Sequence, residues 1–379
     1  MKVIRTIESF YPYVTGPANQ AFNISKGLYK QGIESPIFTS FFNAEKTKNQ
    51  EYFEDVLVRR FRIEKKFMKY IITPSMRKAI ENEKFDVIHS HNYRSYQSSL
   101  GYKIAKTRGK PFVISTHGNL LAYKNFKMGL ASRLPYYAYD LITLKKVVKK
   151  ADIVVAATKQ EYKEALEFGV KKENLRTIPV GINIKDYEPA EKDSSMLNLL
   201  FVGRISRNRN LEPIIKAMKI LKDEKVKLTI VGAEAKSSDI SKTGYVDEMK
   251  NLANGLNVGF VGPKYGKDLI GYYKKADIFV YTSFYENFGQ TMLEAGAAGL
   301  PIIATKTGIA NDIIKNNKTG FIVSPKDPKA VASYIKELSD KSKRELFGKR
   351  IREIVKKSFD WDNIIKRYVE VYKYIRNKP

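Results

Sequence analysis

Short apolar runs alternate with helix-length amphipathic stretches along most of the chain, and this alternation constrains the fold more than any other feature. In the first half KVIRTI (2–7), SPIFTS (35–40), VLVRRF (56–61), DVIHSH (86–91), PFVISTH (111–117), DIVVAAT (152–158) and RTIPVG (176–181) read as strands. Helical patterns lie between them, at 18–30, 98–106 and 160–168. A second series follows: NLLFVG (198–203), KLTIVG (227–232), NVGFVG (257–262), DIFVYTS (277–283), PIIAT (301–305) and GFIV (320–323). Strands alternating with helices predict parallel sheets covered on both faces. The expected class is α/β, with two Rossmann-like αβα domains, and 379 residues suit two domains. The polar, turn-rich stretch 186–196 is the expected linker between a first domain, 1–185, and a second, 197–358, before a terminal helical segment, 359–379. In such sheets ligands bind at the carboxyl ends of the strands. No strand is followed by G-x-G-x-x-G and no G-x-x-x-x-G-K-[ST] occurs, which removes the main support for a dinucleotide or NTP-hydrolase site.

No run of about 18 uncharged apolar residues exists, so no transmembrane helix is expected. MKVIRTIESFYP reads as a first strand and not as a signal peptide. The absence of cysteine excludes disulfides and thiolate metal sites, and the expected location is the cytoplasm. The formal net charge of +28 favours anionic partners. The basic excess is spread over both halves, whereas a nucleic-acid binder concentrates it on one arm or face; no nucleic-acid partner is expected. Between 56 and 72, Arg59, Arg60, Arg62, Lys65, Lys66 and Lys69 interleave with Phe61, Phe67, Met68 and Tyr70. Lys145, Lys146, Lys149 and Lys150 follow the aromatic PYYAYD (135–140). Basic residues among apolar anchors suit an anionic membrane surface, and the inner membrane face is the alternative location. Solvated basic surface is the competing explanation.

The stretch TSFYENFGQTMLEAGAAGLPIIAT (282–305) carries the clearest chemistry. A buried strand, IFVY, feeds a turn bearing Glu286, then a helix expected from about Phe288 to Gly299. Asn287 is the expected N-cap and Gln290 completes a capping box. A helix N-terminus offers free amides and a positive dipole end to a phosphate. Glu286 ahead of it and Glu294 within it can accept hydrogen bonds from sugar hydroxyls. Arg204 follows a strand end in VGRISRNRN and Arg209 precedes the next helix; two guanidiniums at such a turn suit a diphosphate. In YPYVTGPANQ (11–20), Gly16 allows close backbone approach and Pro17 fits a first helical position. His89, His91 and His117 fall at the ends of two neighbouring strands, with His89 and His91 on one face. His117 is placed to face a ligand, and a three-histidine metal site is the less favoured reading.

The order TGPANQ, DVIHSH, THG, VGRISRNRN, ENFGQTMLEAGAAGLPIIAT and a terminal FDW resembles the large "group 1" family of retaining GT-B glycosyltransferases, over essentially the whole chain. The resemblance implies two domains facing a cleft, the second binding a UDP-sugar or GDP-sugar donor and the first a free or lipid-linked saccharide acceptor. The last helix should return to the first domain. Residue by residue, Glu294 would bind the ribose, and Glu286 the transferred sugar beside the amides of Asn287, Phe288 and Gly289. Arg204 and Arg209, after Gly203, would hold the diphosphate, with Gly16 also close to phosphate. His117 would lie near the reacting sugar, and Lys264 near the base. Two departures stand out. Arg209 occupies a position where the family usually has Lys, and Pro17 replaces a Gly whose amide would contact phosphate. The D-x-D at Asp360–Asp362 reads as helix capping, so no divalent metal is expected. A nucleotide-sugar epimerase of the same fold is the alternative, and a basic nucleic-acid-binding protein a more distant one.

Overall fold

The computed structural model describes residues 1–13, 15–67, 70–118, 120–121, 130–143, 145–190, 195–234 and 244–377. The chain forms two units, Met1–Gly181 with Trp361–Pro379, and Ile182–Asp360. The break precedes the expected linker because Ile182, Ile184 and Tyr187 are buried in the second unit's core. Residues 191–194 of that linker lie outside the described residues. The second crossing follows Phe359, also buried in that core, so the terminal segment begins at Trp361 and not at 359. The chain enters and leaves the second unit side by side, with the Ile182 amide donating to the Phe359 carbonyl at 2.8 Å.

The first unit holds strands β1 (Val3–Thr6), β2 (Ile37–Ser40), β3 (Gln50–Phe53), β4 (Val56–Phe61), β5 (Lys65–Phe67), β6 (Tyr70–Ile72), β7 (Val87–His91), β8 (Phe112–Ser115), β9 (Ile153–Ala156) and β10 (Leu175–Thr177). Eight form one sheet in the order β10-β9-β8-β7-β1-β2-β4-β3; β5 and β6 form a separate hairpin. All pairings in the large sheet are parallel except β3 on β4. Parallel neighbours need a crossover, which the intervening helices supply. β1, β2, β7, β8 and β9 are buried along their whole length, as a sheet covered on both faces requires. The helix Trp361–Arg376 buries Ile364, Ile365, Tyr368, Val371, Tyr372 and Ile375, one stripe at helical spacing. That stripe packs with Val3, Val87, Val113 and Ile153 of the sheet.

The second unit holds β11 (Leu197–Val202), β12 (Val226–Val231), β13 (Val258–Phe260), β14 (Ile278–Tyr281), β15 (Ile302–Thr305) and β16 (Gly320–Val323), all parallel, in the order β13-β12-β11-β14-β15-β16. The chain builds outward from β11 in one direction and from β14 in the other. The point where strand order reverses therefore lies between β11 and β14, where an open α/β sheet leaves a crevice at its carboxyl edge. In the first sheet the reversal lies between β1 and β7. Gly203–Arg204 and Thr282–Glu286 follow β11 and β14; His91 ends β7 and His117 follows the adjacent β8. Among the described residues no helix is long and apolar enough to cross a membrane.

Candidate active site

In the second unit two loops meet at the reversal point. Asn208, in the turn after β11, accepts from the Phe284 amide through its carbonyl (2.9 Å) and donates from its side chain to the Tyr285 carbonyl (3.1 Å). Asn210 donates to the Thr282 carbonyl at 3.0 Å. These bonds carry Arg209 to Glu286: the guanidinium forms an ion pair with the carboxylate, and its Nη1 also donates to Ser283 Oγ (3.3 Å) and the Tyr285 carbonyl (3.2 Å). The Tyr281 hydroxyl donates to the same carboxylate. Burial and the Glu286 charge push that hydroxyl's pKa well up, so it stays a donor. Arg209 and Glu286 are both largely buried.

The helix beyond them is Gln290–Ala297, starting two residues later than its sequence suggests. Asn287 does not cap it. Its Oδ1 is buried without a hydrogen-bond partner, and Gly289, at φ +88°, occupies the N-cap position with no side-chain cap. The capping-box expectation fails because the chain turns through the left-handed region at Gly289, which shortens the helix. No hydrogen bond within the protein is made by the amides of Asn287, Phe288 or Gly289 among the described residues. Gly308 (φ +52°) closes this tip: a Cβ there would stand 2.4 Å from the Phe288 carbonyl oxygen and 2.9 Å from Glu286 Cβ. The Ile309 amide donates to the Phe288 carbonyl at 2.7 Å. Free amides, a cation and a fixed carboxylate thus converge on one helix tip, an arrangement suited to an anion bearing hydroxyls.

Glu294 lies one turn into that helix, partly buried. It accepts from the Tyr273 hydroxyl at 2.7 Å. Burial raises its pKa to about 7, against the opposing hydrogen bonds from Tyr273 and Gln290. Tyr187 stands edge-on to Tyr273, with ring centroids 5.8 Å apart. Arg204 is exposed, with no side-chain partner among the described residues. Gly203 donates its amide to the Val231 carbonyl at 3.0 Å. Lys264 lines a surface hollow of about 380 Å³ with Lys267, Asp268, Gly271, Tyr272 and Lys275.

In the first unit, Gly16 opens the helix Gly16–Tyr29 and Pro17 sits in its first turn. The Ala18 amide, which could have substituted for the amide missing at Pro17, is capped by Thr15 Oγ1 at 3.2 Å. The three histidines form a stack, with ring centroids 4.7 Å apart for His89–His91 and 5.2 Å for His91–His117. They do not form a metal site. Arg5 Nη1 lies 3.0 Å from His89 Nδ1 and 3.1 Å from His91 Nε2, so a cation already occupies the space between those nitrogens. His91 Nδ1 lies 3.0 Å from His117 Nε2. Burial lowers all three pKa values, that of His117 to about 3. His117 is held at φ +54° by a turn whose Gly118 amide donates to Glu161 at 2.7 Å, and Glu161 also accepts from the Ala157 amide at 2.6 Å.

Sequence reasoning missed Arg5, Glu161, Tyr273, Tyr281 and Tyr372. One signal was available: Arg5 interrupts an apolar strand, and a charge buried there must be paired.

Comparison with known proteins fits this geometry. The profile of Glycosyltransferase Family 4 matches residues 14–186, and that of Glycosyl transferases group 1 matches residues 185–354. An uncharacterized glycosyltransferase of Methanocaldococcus jannaschii is 28% identical, with 98% of each chain covered. A D-inositol 3-phosphate glycosyltransferase of Salinispora tropica is 26% identical over 76% of this chain and 64% of its own length. Among solved structures, sucrose-phosphate synthase from Thermosynechococcus elongatus superposes with a TM-score of 0.81 at 22% identity, covering 99% of this chain and 98% of that one. Anabaena HepE in complex with UDP and glucose superposes at 0.75 and 18% identity, covering 99% and 100%. The fold is two-domain GT-B, and the chain belongs to the group 1 glycosyltransferases.

Proposed function

We propose that the protein transfers a sugar from a nucleoside-diphosphate sugar to a saccharide acceptor, with retention of anomeric configuration and without a divalent metal. The observation that carries this reading is the helix tip at Gly289, where three free amides adjoin the Arg209–Glu286 pair. In it, Arg204 and Arg209 hold the diphosphate after Gly203. Glu286 accepts from hydroxyls of the transferred sugar beside the Asn287, Phe288 and Gly289 amides. Glu294 accepts from the ribose, Lys264 lies by the base, and Gly16 lets backbone approach phosphate. His117 contacts a substrate oxygen. HepE, solved with UDP and with UDP-glucose, favours a uridine nucleotide. The acceptor is a lipid-linked saccharide at the inner membrane face, a reading supported by the basic and apolar surface of the first unit.

Departure of the nucleoside diphosphate is the difficult step. Two guanidiniums and a helix N-terminus stabilise the negative charge as it develops. Glu286 is tied to Arg209 and Tyr281, which suits a sugar-positioning role better than that of a nucleophile. The acceptor hydroxyl then attacks from the face the leaving group vacates, and the leaving phosphate takes its proton.

Thermal denaturation against a panel of nucleotide sugars tests the donor assignment, since a ligand specific for the folded state raises Tm. One UDP-sugar should stabilise the protein, and Glu294→Ala should lose most of that shift. Equal shifts with all nucleotides, or an unchanged shift in the variant, would refute it. With that donor, turnover should persist in EDTA and the product should keep the donor's anomeric configuration. A magnesium-reversible loss, or a covalent glycosyl adduct trapped in Glu286→Gln, would overturn the mechanism.

A further inference from the structure

We propose that Arg5, buried at the centre of the first sheet, fixes the imidazole tautomers of His91 and His117 in series, making His117 Nδ1 a permanent hydrogen-bond donor. Arg5 is thus a positioning residue for His117, and the proposal rests on the reading of His117 as a group that contacts substrate.

A guanidinium has donors only. Arg5 Nη1 lies 3.1 Å from His91 Nε2, so that nitrogen is bare and accepts. The neutral ring must then carry its proton on Nδ1, which donates to His117 Nε2 at 3.0 Å. His117 Nε2 therefore accepts, and its proton sits on Nδ1. Among the described residues nothing partners that nitrogen, and His117 is the most exposed ring of the three. On the other branch, His89 Nδ1 accepts from Arg5 Nη1 (3.0 Å) and from the Tyr372 hydroxyl (2.6 Å), while its Nε2–H donates to Ser115 Oγ (2.9 Å). Tyr372 in turn accepts from Arg5 Nη2 (2.9 Å), and Arg5 Nε donates to Ser35 Oγ (3.0 Å).

Along the branch from Arg5 through His91 to His117, one assignment of protons satisfies every bond. Turning either His91 or His117 to its other tautomer sets two N–H groups, or two lone pairs, face to face across a buried contact. The charged and titratable groups packed around the stack are Arg5, Tyr368, Tyr372 and Glu161. Burial, with a smaller part from the neighbouring cation, holds His89 and His91 neutral, and burial holds His117 so. His117 consequently cannot take a proton from an acceptor hydroxyl at Nδ1, because that position is filled. It can donate to a substrate oxygen at any pH at which the fold survives, a role like the neutral imidazole electrophile found in other enzymes.

The chain has only three histidines, all of them in this network, so [15N]histidine labelling gives a spectrum of three rings. In the apo wild-type protein we expect each ring neutral and unchanged between pH 8 and pH 5, with His117 protonated at Nδ1. A coupling across the hydrogen bond should join His91 Nδ1 to His117 Nε2. A proton on His117 Nε2, or rings averaging between tautomers, would overturn the proposal. Arg5→Met should let His91 and His117 exchange tautomers, whereas Ser35→Ala, which removes one contact on Arg5, should leave the pattern intact. A folded Arg5→Met protein with the wild-type pattern would dismiss Arg5 as the cause. If that variant does not fold, the wild-type protein decides: a coupling from the Arg5 guanidinium to His91 Nε2 is expected, and its absence refutes the assignment. The measurement uses no substrate, so its outcome is independent of the donor panel.

Discussion

Glu294 ties acid–base chemistry to stability. Its carboxyl titrates near 7 in the fold, against an ordinary 4.5, because burial disfavours the charged form. The sign follows from linkage. Between those two values the folded protein holds a proton that the unfolded chain has lost, so stability falls as pH rises from about 4.5 to about 7 and is level above. The size of the effect is on the order of 1–3 kcal/mol. Glu294→Gln, which keeps an acceptor for Tyr273 but cannot ionise, should match wild type in urea midpoint at pH 5 and exceed it at pH 8. A variant less stable at pH 8 would show that the ionised carboxylate is well compensated in the fold. Arg5 poses the opposite case: its charge is permanent, so partners just before β2, in β7 and in the last helix must be built around it.

At the scale of elements, the Glu286–Gly289 loop depends on Gly308, which lets two loops approach within contact distance. Gly308→Ala meets a positive φ and a fixed backbone carbonyl, and should cost about 1–3 kcal/mol while moving Glu286 off Arg209. The check is a lowered urea midpoint together with a weaker donor-induced Tm shift; a variant with wild-type stability would mean the loop adapts freely. The strands and the acidic loop were legible from sequence because apolar runs of buried parallel strands need no tertiary context. Three features were not. QEYF, the edge strand β3, is polar and partly exposed, so it carries no apolar run. The helix start after Asn287 was misplaced, since local capping rules cannot register the turn through Gly289 that Gly308 permits. The histidines were visible as a group, but the guanidinium between two of them comes from a strand distant in sequence, and only the sheet order brings it there. Tyr372 reaches the same group from the far end of the chain.

On the scale of the molecule, a net charge of +28 is too diffuse to name a partner by itself, and exposed apolar side chains narrow it. In the first unit the hairpin β5–β6 exposes Lys65, Lys66 and Phe67, the last at 73%. Met68 and Lys69, part of the same basic and aromatic segment, lie outside the described residues. Tyr70 of β6 contacts Tyr139 of the helix Leu130–Ile142, with ring centroids 5.9 Å apart, so hairpin and helix are neighbours. That helix exposes Leu134, Leu141 and Ile142, and exposed Lys146, Lys149 and Lys150 follow it. Apolar side chains rimmed by lysines match an anionic bilayer surface, where each cation contributes about 1 kcal/mol and apolar groups enter the headgroup boundary. A duplex nucleic acid would be met by the cations alone and would leave Phe67, Leu141 and Ile142 in water. The protein should therefore sediment with phosphatidylglycerol vesicles and not with phosphatidylcholine vesicles, and should release as salt rises. Phe67→Ala with Ile142→Ala should weaken sedimentation at low salt without altering Tm, because neither side chain is buried. Equal sedimentation with both lipids would remove the electrostatic part of this reading. Sedimentation with neither would point to an acceptor in solution, with the basic surface serving only to draw the anionic nucleotide donor toward the protein.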